Sequence, residues 1–340
     1  MQVTLITVVI PCLNEELNIE EFYRRVNILT TLMMPKKIEL IFINDGSTDN
    51  TGLILDKIAD NDKKVKVLHF AQNRGHQIAL TAGMDHAVGD VIVTIDADLQ
   101  HPPELICEMI EKVECGYDIV HAKRRSRSGE TLFKRSSARV FYFFMQYFSG
   151  VRLIEDSAEF RAFTRPVLEA VKSFRMPHRF LRGIFSQLGF KQCVITFDSQ
   201  DRYAGGTKYS FIKMVNLALD GALAYSAAPI RFITWLSVIL WSVSLIHLIK
   251  SLIEHFVLKI TVPGWTSIIF LMFFFTGLIL FSIAIIGSYV GRIFVQGQKI
   301  PLYWLSDARN LDYEQLPDGT VELPEVELSR RIIQAREKNC

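Results

Sequence analysis

The stretch Val91-Ile92-Val93-Thr94-Ile95-Asp96-Ala97-Asp98 ends a run of apolar and β-branched residues in two carboxylates separated by one alanine. Such a run predicts a buried strand of a parallel sheet. Side chains two residues apart at a strand end point the same way, so Asp96 and Asp98 can face one divalent cation. Gln100, just beyond them, could add a further oxygen ligand. The alternative for an isolated pair of this kind is an Asp-rich turn that only caps the strand.

Comparable runs alternate with amphipathic stretches from residue 3 to about residue 120. This alternation predicts βαβ units around a mostly parallel sheet, and therefore an α/β fold. The predicted strands are 5–10, 38–44, 65–70, 91–96 and 118–123, with a further candidate at 191–197. The predicted helices between them are 15–31, 50–61, 75–87 and 103–115.

Polar residues follow the predicted strands at the edge where α/β sheets bind ligands. They are Pro11, Asn14 and Glu15 after the first strand, Asp45 after the second, Asn73 after the third and Asp96 after the fourth. Helix capping is the structural alternative, and it explains most of Asn44-Asp45-Gly46-Ser47. It leaves Asp45 unexplained, since this residue sits where a nucleobase or a ribose would be read.

A hydrophobic fraction of 49% and a mean hydropathy of +0.21 indicate that part of the chain is not soluble. Two blocks, 232–249 and 261–291, contain no Asp, Glu, Lys or Arg. Each is long enough to cross about 30 Å of hydrocarbon at about 1.5 Å per residue. We therefore predict transmembrane helices at 229–254 and 264–293, preceded by an amphipathic interfacial helix at 210–228. A buried helical hairpin of a soluble protein is the alternative.

The start of the chain has no basic n-region and no small-residue cleavage site, which predicts a first strand rather than a signal peptide. The five cysteines form no CxxC pair, which favours a reduced, cytosolic environment. We expect a cytoplasmic catalytic domain at 1–209, a cytoplasmic tail at 294–340, and a multi-pass protein of the inner membrane with both termini cytoplasmic. A net charge of +2 without a nucleic-acid-binding motif argues against nucleic acid as a partner.

Two further clusters precede the membrane blocks. Glu155-Asp156-Ser157-Ala158-Glu159-Phe160-Arg161 is either part of an acceptor site or a solvated charged turn. In the second cluster, Arg202 and Lys208 flank a flexible Gly-Gly loop. Paired cations there could hold a lipid phosphate, and a generic juxtamembrane basic patch is the alternative.

Taken together, these motifs resemble the polyprenyl-phosphate glycosyltransferases of glycosyltransferase family 2, over about residues 3–305. That group includes bactoprenol glucosyltransferases and dolichol-phosphate mannose synthase. The motifs that carry the resemblance are Asn14-Glu15, Asn44-Asp45-Gly46-Ser47, Asn73-Arg74-Gly75, Asp96-Ala97-Asp98-Leu99-Gln100-His101-Pro102 and Arg202 with Gly206-Thr207-Lys208-Tyr209. Asn44 stands where these enzymes usually have an aspartate.

The resemblance implies a GT-A fold, an inverting mechanism and a Mg²⁺ or Mn²⁺ ion held by Asp96, Asp98 and Gln100. It further implies nucleotide contacts by Pro11, Glu15 and Asp45, with Asn14 and Asn73 beside them, phosphate binding by Arg202 and Lys208, and a place near the acceptor for Asp156. Because a phosphate monoester is already largely ionised near neutral pH, we expect Asp156 to orient the acceptor more than to deprotonate it.

The expected reaction moves a hexose from a nucleotide-sugar, with UDP-glucose as the first candidate, to undecaprenyl phosphate. A GDP-mannose-dependent polyprenyl-phosphate mannose synthase and a non-catalytic GT-A scaffold subunit are the alternatives. A processive polysaccharide synthase is disfavoured, since the chain lacks a Gln-x-x-Arg-Trp motif. The helical hairpin and the tail would suit a homo-oligomer, for example a tetramer.

Overall fold

The computed structural model describes residues 3–125, 157–176, 179–197, 228–257, 264–298 and 300–311. These residues belong to two compact units, one built from the sheet-forming part of the chain together with 301–311, the other from the long helices. The predicted interfacial helix at 210–228, apart from its last residue, and the candidate residues Asp156, Arg202 and Lys208 lie outside the described residues.

The first unit is an α/β domain around a single mixed sheet. Its strands are β1 (Leu5–Cys12), β2 (Lys37–Asn44), β3 (Val65–Phe70), β4 (Val91–Thr94), β5 (Ile119–Arg124), β6 (Ser157–Thr164), β7 (Gln192–Phe197) and β8 (Leu305–Arg309). Their order across the sheet is β7-β5-β6-β4-β1-β2-β3-β8. Strands β6 and β8 run antiparallel to their neighbours, and the remaining pairs are parallel. The predicted α/β class with a mostly parallel sheet is therefore confirmed.

Helices cover both faces of this sheet. They are α1 (Ile19–Leu32), α2 (Thr51–Asn61), α3 (His76–Asp85), α4 (Leu105–Glu114), α5 (Arg165–Lys172) and α6 (Leu181–Gln187). Right-handed crossovers place α1 and α2 on one face and α3 on the other, because the chain reverses its direction across the sheet after β3. Val8 and Ile10 of β1 accordingly pack into the core with Phe22 of α1, whereas Val9 meets Gly83 of α3.

The charged stretch at 157–161 is not a solvated turn. It begins strand β6, which pairs antiparallel with both β4 and β5. Glu159 and Arg161 are both buried there, Arg161 almost completely. The turn interpretation is wrong because these residues form a strand, and their two opposite charges are paired inside the domain.

The first residues of the tail predicted at 294–340 are part of the folded units and do not form a separate segment. The last long helix extends to Gly297, and Leu305–Arg309 then form β8 at the edge of the sheet. Tyr303 stacks on Phe70 with ring centroids 5.4 Å apart. Nδ2 of Asn310 donates hydrogen bonds to the backbone oxygens of Ala59 and Val65. These contacts fix residues 301–311 to the first unit.

The second unit contains helices α7 (Ala228–Phe256) and α8 (Trp265–Gly297). Helix α7 includes the segment predicted at 229–254, and α8 includes all but the first residue of the segment predicted at 264–293. Within the described residues, one helical segment, Phe274–Gly297 with a mean hydropathy of 2.1, is long and apolar enough to cross a membrane. Leu280 and Phe294 on this helix are more than half exposed. An apolar surface of this extent is unusual in water, and it suits hydrocarbon. That both helices cross a membrane stays a prediction.

Candidate active site

The turns that follow β1 and β2 are tied to each other by side-chain hydrogen bonds. Asn14 adopts the left-handed conformation with φ 56°, which asparagine tolerates better than most residues. Its backbone N–H donates to Oγ of Ser47 over 3.0 Å, and its Oδ1 accepts from the backbone N–H of Thr48 over 2.8 Å. Asn14 therefore joins the turn after β1 to the turn after β2.

Asp45 joins the turn after β2 to the turn after β3. Its carboxylate accepts hydrogen bonds from the backbone N–H groups of Arg74, at 2.7 Å, and Gly75, at 2.9 Å. Burial raises the pKa of Asp45, and the two hydrogen bonds oppose that rise. Gly46 permits this approach, because a Cβ at this position would lie 2.6 Å from the backbone nitrogen of Asn73. Asp45 thus has a structural task, and its predicted nucleotide contact stays a prediction.

The other residues predicted to contact the nucleotide lie around the same edge. Pro11 is buried near the end of β1, and Asn73 is exposed after β3. The backbone N–H of Glu15 donates to Oγ1 of Thr51 over 2.9 Å. Its carboxylate accepts a hydrogen bond from Nδ2 of Asn18. The loop before α1 is therefore fixed against the start of α2.

The strand predicted at 91–96 ends at Thr94 as β4, so Asp96 and Asp98 belong to the turn beyond it and are not on the strand. Asp96 lies between two histidines. Nε2 of His76 is 3.4 Å from Oδ1 of Asp96, and Nδ1 of His101 is 3.7 Å from Oδ2. His101 is buried, and its burial lowers its pKa. Asp98 is also buried, and its Oδ1 accepts from the backbone N–H of Gln100 over 3.1 Å. The two carboxylates thus belong to one polar cluster at the end of the strand.

The side chain of Gln100 has a hydrogen-bond partner that the sequence analysis did not name as a site residue. Its Oε1 accepts a 2.9 Å hydrogen bond from Nη2 of Arg124, at the end of β5. The oxygen that we assigned to a metal ion therefore already has a cationic partner. Arg124 could have been suspected, because it ends a parallel strand at the ligand-binding edge of the sheet.

The carboxylates at the end of β4 suit a hard cation that is shared with a substrate. Among the described residues, no three His, Cys, Asp or Glu side chains form a group that could hold a metal ion. Mg²⁺ is commonly bound by one or two carboxylates together with substrate phosphates. Asp96 and Asp98 meet that requirement if the phosphates of a nucleotide supply the remaining oxygens.

A second polar cluster is centred on Glu159 of β6. Its Oε2 accepts from Arg161 Nη2 at 2.7 Å, and its Oε1 accepts from Arg182 Nε at 2.8 Å. Burial opposes ionisation of this carboxyl, but the two arginines outweigh that effect and lower the pKa of Glu159 to about 2. Glu159 is therefore an anion at physiological pH. The sequence offered no direct signal for this arrangement, because Arg182 is distant from Glu159 along the chain.

A cavity of about 390 Å³ lies where β2 and β3 end, next to β8. Asn44 and His69 line it, and Nδ2 of Asn44 lies 3.1 Å from Nδ1 of His69. Nε2 of His69 lies in turn 3.2 Å from Oδ1 of Asp56. Asn44, which departs from the family's usual aspartate, is thus held in a hydrogen-bonded chain behind the turn that carries Asp45.

The chain belongs to glycosyl transferase family 2, whose model matches residues 7–172. The family that the sequence motifs predicted, and the enzyme class, are thereby confirmed.

The relatives match over almost the whole chain. The uncharacterized glycosyltransferase YkcC of Bacillus subtilis is 37% identical over 91% of this chain and 96% of its own. The bactoprenol glucosyl transferase of Shigella phage SfV is 36% identical over 89% of this chain and 99% of its own. Among solved structures, glucosyl-3-phosphoglycerate synthase from Mycobacterium tuberculosis, in complex with Mn²⁺, UDP and phosphoglyceric acid, is 19% identical over 65% of this chain and 76% of that chain, with a TM-score of 0.47.

Proposed function

We propose that this enzyme transfers a hexose from a nucleotide-sugar to a polyprenyl phosphate at the cytoplasmic face of a membrane. UDP-glucose and undecaprenyl phosphate are the proposed substrates. The observation that carries the proposal is the end-to-end match to an enzyme named bactoprenol glucosyl transferase, which covers 99% of that enzyme and 89% of this chain. A match of that extent includes the C-terminal helices as well as the sugar-transferring domain.

Asp96 and Asp98 are the proposed holders of a Mg²⁺ or Mn²⁺ ion. Such an ion neutralises negative charge on the diphosphate that leaves when the sugar is transferred. The hydrogen bond from the backbone of Gln100 fixes the carboxylate of Asp98. The carboxylate of Asp98 would therefore need little rearrangement as the donor binds.

The acceptor needs little chemical activation. A phosphate monoester has its second pKa near 6 and is largely a dianion at neutral pH, so it can itself attack the sugar. Direct attack on the anomeric carbon inverts its configuration. The protein's task is then to align the acceptor phosphate with the donor. Catalysis therefore depends mainly on positioning and on electrostatic stabilisation. Asp156 is proposed to orient the acceptor, and Arg202 and Lys208 to bind phosphates.

Helices α7 and α8 are proposed to cross the membrane and to leave the catalytic domain and both termini in the cytoplasm. A polyprenyl chain is insoluble in water, so its phosphate is available only at the surface of a bilayer. An enzyme anchored in the same bilayer raises the effective concentration of this acceptor at its site. The exposed apolar side chains of α8 support this anchoring.

The test is a transfer assay with the full chain purified in detergent. Undecaprenyl phosphate is mixed with radiolabelled UDP-glucose, GDP-mannose or UDP-N-acetylglucosamine, with Mg²⁺, with Mn²⁺ or with a chelator. We expect metal-dependent label in the lipid extract, strongest with UDP-glucose. Label that is transferred only from GDP-mannose would identify GDP-mannose, and not UDP-glucose, as the donor. The absence of lipid-linked label with every donor would overturn the proposal.

A further inference from the structure

The segment 301–311, which follows α8 in the chain, lies against the end of β3. The backbone N–H of Ala71 donates to the backbone oxygen of Trp304 over 3.1 Å. The neighbouring Tyr303 donates from its hydroxyl to Oδ2 of Asp85 over 3.1 Å. Trp304 is thereby fixed beside the turn that joins β3 to α3.

Trp304 meets Arg74 in this turn. The central carbon of the Arg74 guanidinium lies 4.3 Å from the centroid of the indole ring, which is the geometry of a cation–π contact. The backbone N–H of the same arginine donates to Asp45. Arg74 is therefore held at two points, by its main chain on one side and by its side chain on the other.

The positive charge of Arg74 is not neutralised within the described part of the chain. No carboxylate there forms an ion pair with it, and its buried Nε has no hydrogen-bond acceptor. A ring face orients a guanidinium without using its N–H donors, which remain directed along the guanidinium plane. Such a group is suited to a ligand that brings its own acceptor oxygens.

We propose that Trp304 is a positioning residue that holds the Arg74 guanidinium in place to bind the nucleoside diphosphate part of the donor. The inference rests on the proposed function, since it assumes a nucleotide-sugar donor at the carboxyl ends of β1 to β4, where sheets of this kind bind ligands. Without the indole ring, the long arginine side chain would lose rotamer freedom at each binding event, which weakens binding.

The experiment measures nucleotide affinity and kinetics on the full chain in detergent. Calorimetry with Mn²⁺ gives the Kd of UDP and of GDP, and the tighter of the two sets the donor for KM measurements. For Trp304→Ala we expect Kd and the donor KM to rise about tenfold, with the KM for undecaprenyl phosphate within twofold of wild type. Trp304→Phe, which keeps a ring face, should recover most of the loss.

Arg309→Ala is the matched control. It removes an exposed ion pair between β8 and Asp56 but leaves the contact of Trp304 with Arg74, so we expect wild-type Kd and KM. In an Arg74→Ala background, Trp304→Ala should add less than a twofold effect, because the two residues act through one interaction. If Trp304→Ala does not fold, Trp304→Leu replaces it, since leucine keeps apolar bulk without a ring.

The outcomes separate this inference from the proposed function. A wild-type chain that binds a nucleoside diphosphate but glycosylates no polyprenyl phosphate contradicts the acceptor assignment, and the Kd series still decides the role of Trp304. An unchanged Kd in the Trp304 variants, equal increases in both KM values, or additive effects with Arg74→Ala would each overturn the inference. A wild-type chain that binds neither UDP nor GDP contradicts both.

Discussion

Arg161 donates from Nη2 to Oε2 of Glu159 over 2.7 Å, and both side chains are buried in the interior of the sheet domain. The two residues are separated by one position on β6, so their side chains project from the same face of the strand. Arg182 adds a second cation to the same carboxylate at 2.8 Å. The position of β6 between β4 and β5 thus depends on an ionised acid inside the domain.

Replacing Glu159 by glutamine should destabilise the domain by about 3 kcal/mol. Removing one partner of a buried ion pair leaves the other charge buried and uncompensated, which is among the costliest single changes. The measurement is the free energy of unfolding in urea, or the shift in Tm in detergent. Glu169→Gln is the control: its partners are Arg165 at 3.2 Å and Lys172 at 3.8 Å, its side chain is 54% exposed, and we expect less than about 1 kcal/mol. Equal effects of the two variants would contradict the importance of burial.

Asp98→Ala should abolish transfer while leaving the fold intact. The side chain lies in the turn beyond β4 and accepts a hydrogen bond from the backbone of Gln100, so its loss affects charge at the site more than packing. We expect a decrease in kcat of at least about 100-fold, the scale of losing one electrostatic stabiliser of a transition state. Transfer is measured with Mn²⁺ and Mg²⁺, and Tm reports folding. An active variant would refute the role of Asp98.

Gly83→Ala should destabilise the packing of α3 on the sheet by about 1–3 kcal/mol, the usual cost of overpacking a core. A Cβ at this position would collide with Cγ1 of Val9 and lie 2.7 Å from Cδ1 of Ile43. Gly277→Ala is the helical control, because a Cβ there meets nothing within 4 Å. Its Tm should be unchanged or higher, since alanine favours a helix over glycine. A Gly83→Ala chain as stable as wild type would show that α3 can shift at no cost.

Acid should weaken the domain through His121. Burial, together with Arg161, lowers the pKa of this histidine to about 4, whereas the unfolded value is about 6.5. Well above pH 6.5 the histidine is neutral in both states. As the pH falls toward 4, the unfolded state binds a proton that the folded state does not, so stability decreases by up to about 3 kcal/mol. Between pH 7 and pH 5, the Tm of the His121→Gln variant should fall by less than the Tm of wild type. Parallel pH profiles would exclude His121 as a source of acid sensitivity.

The sequence alone was sufficient to predict the strands whose signal lies within one short run of residues. Strands β1 to β5 lie within a few residues of their predicted positions, because each is a short apolar run between turn residues. The strands that were missed lack such a run. Strand β6 contains Glu159 and Arg161, whose burial depends on each other and on Arg182. Strand β8 is short and polar, and its pairing with β3 cannot be inferred from neighbouring residues.

The sequence located the site residues, but it did not show which groups their side chains bind. Asp96 and Asp98 could be placed close to the end of a strand from residue order alone, although β4 ends at Thr94 and both lie beyond it. The sequence could not show that the carboxylate of Asp45 binds two backbone N–H groups, because these belong to the turn after the next strand. It could not show that Arg124 reaches Gln100 either, since that contact depends on the order of strands in the sheet.

The pairing of β8 with β3 has a consequence for biosynthesis. Ser306 donates to the backbone oxygen of His69, a residue 237 positions earlier in the chain. While the ribosome makes the intervening residues, the outer backbone groups of β3 have no strand beside them, and an open edge invites pairing with other chains. Completion of the sheet must wait until both long helices have been translated. A product that stops short of residue 300 keeps that edge bare, so aggregation would distinguish it from the finished enzyme.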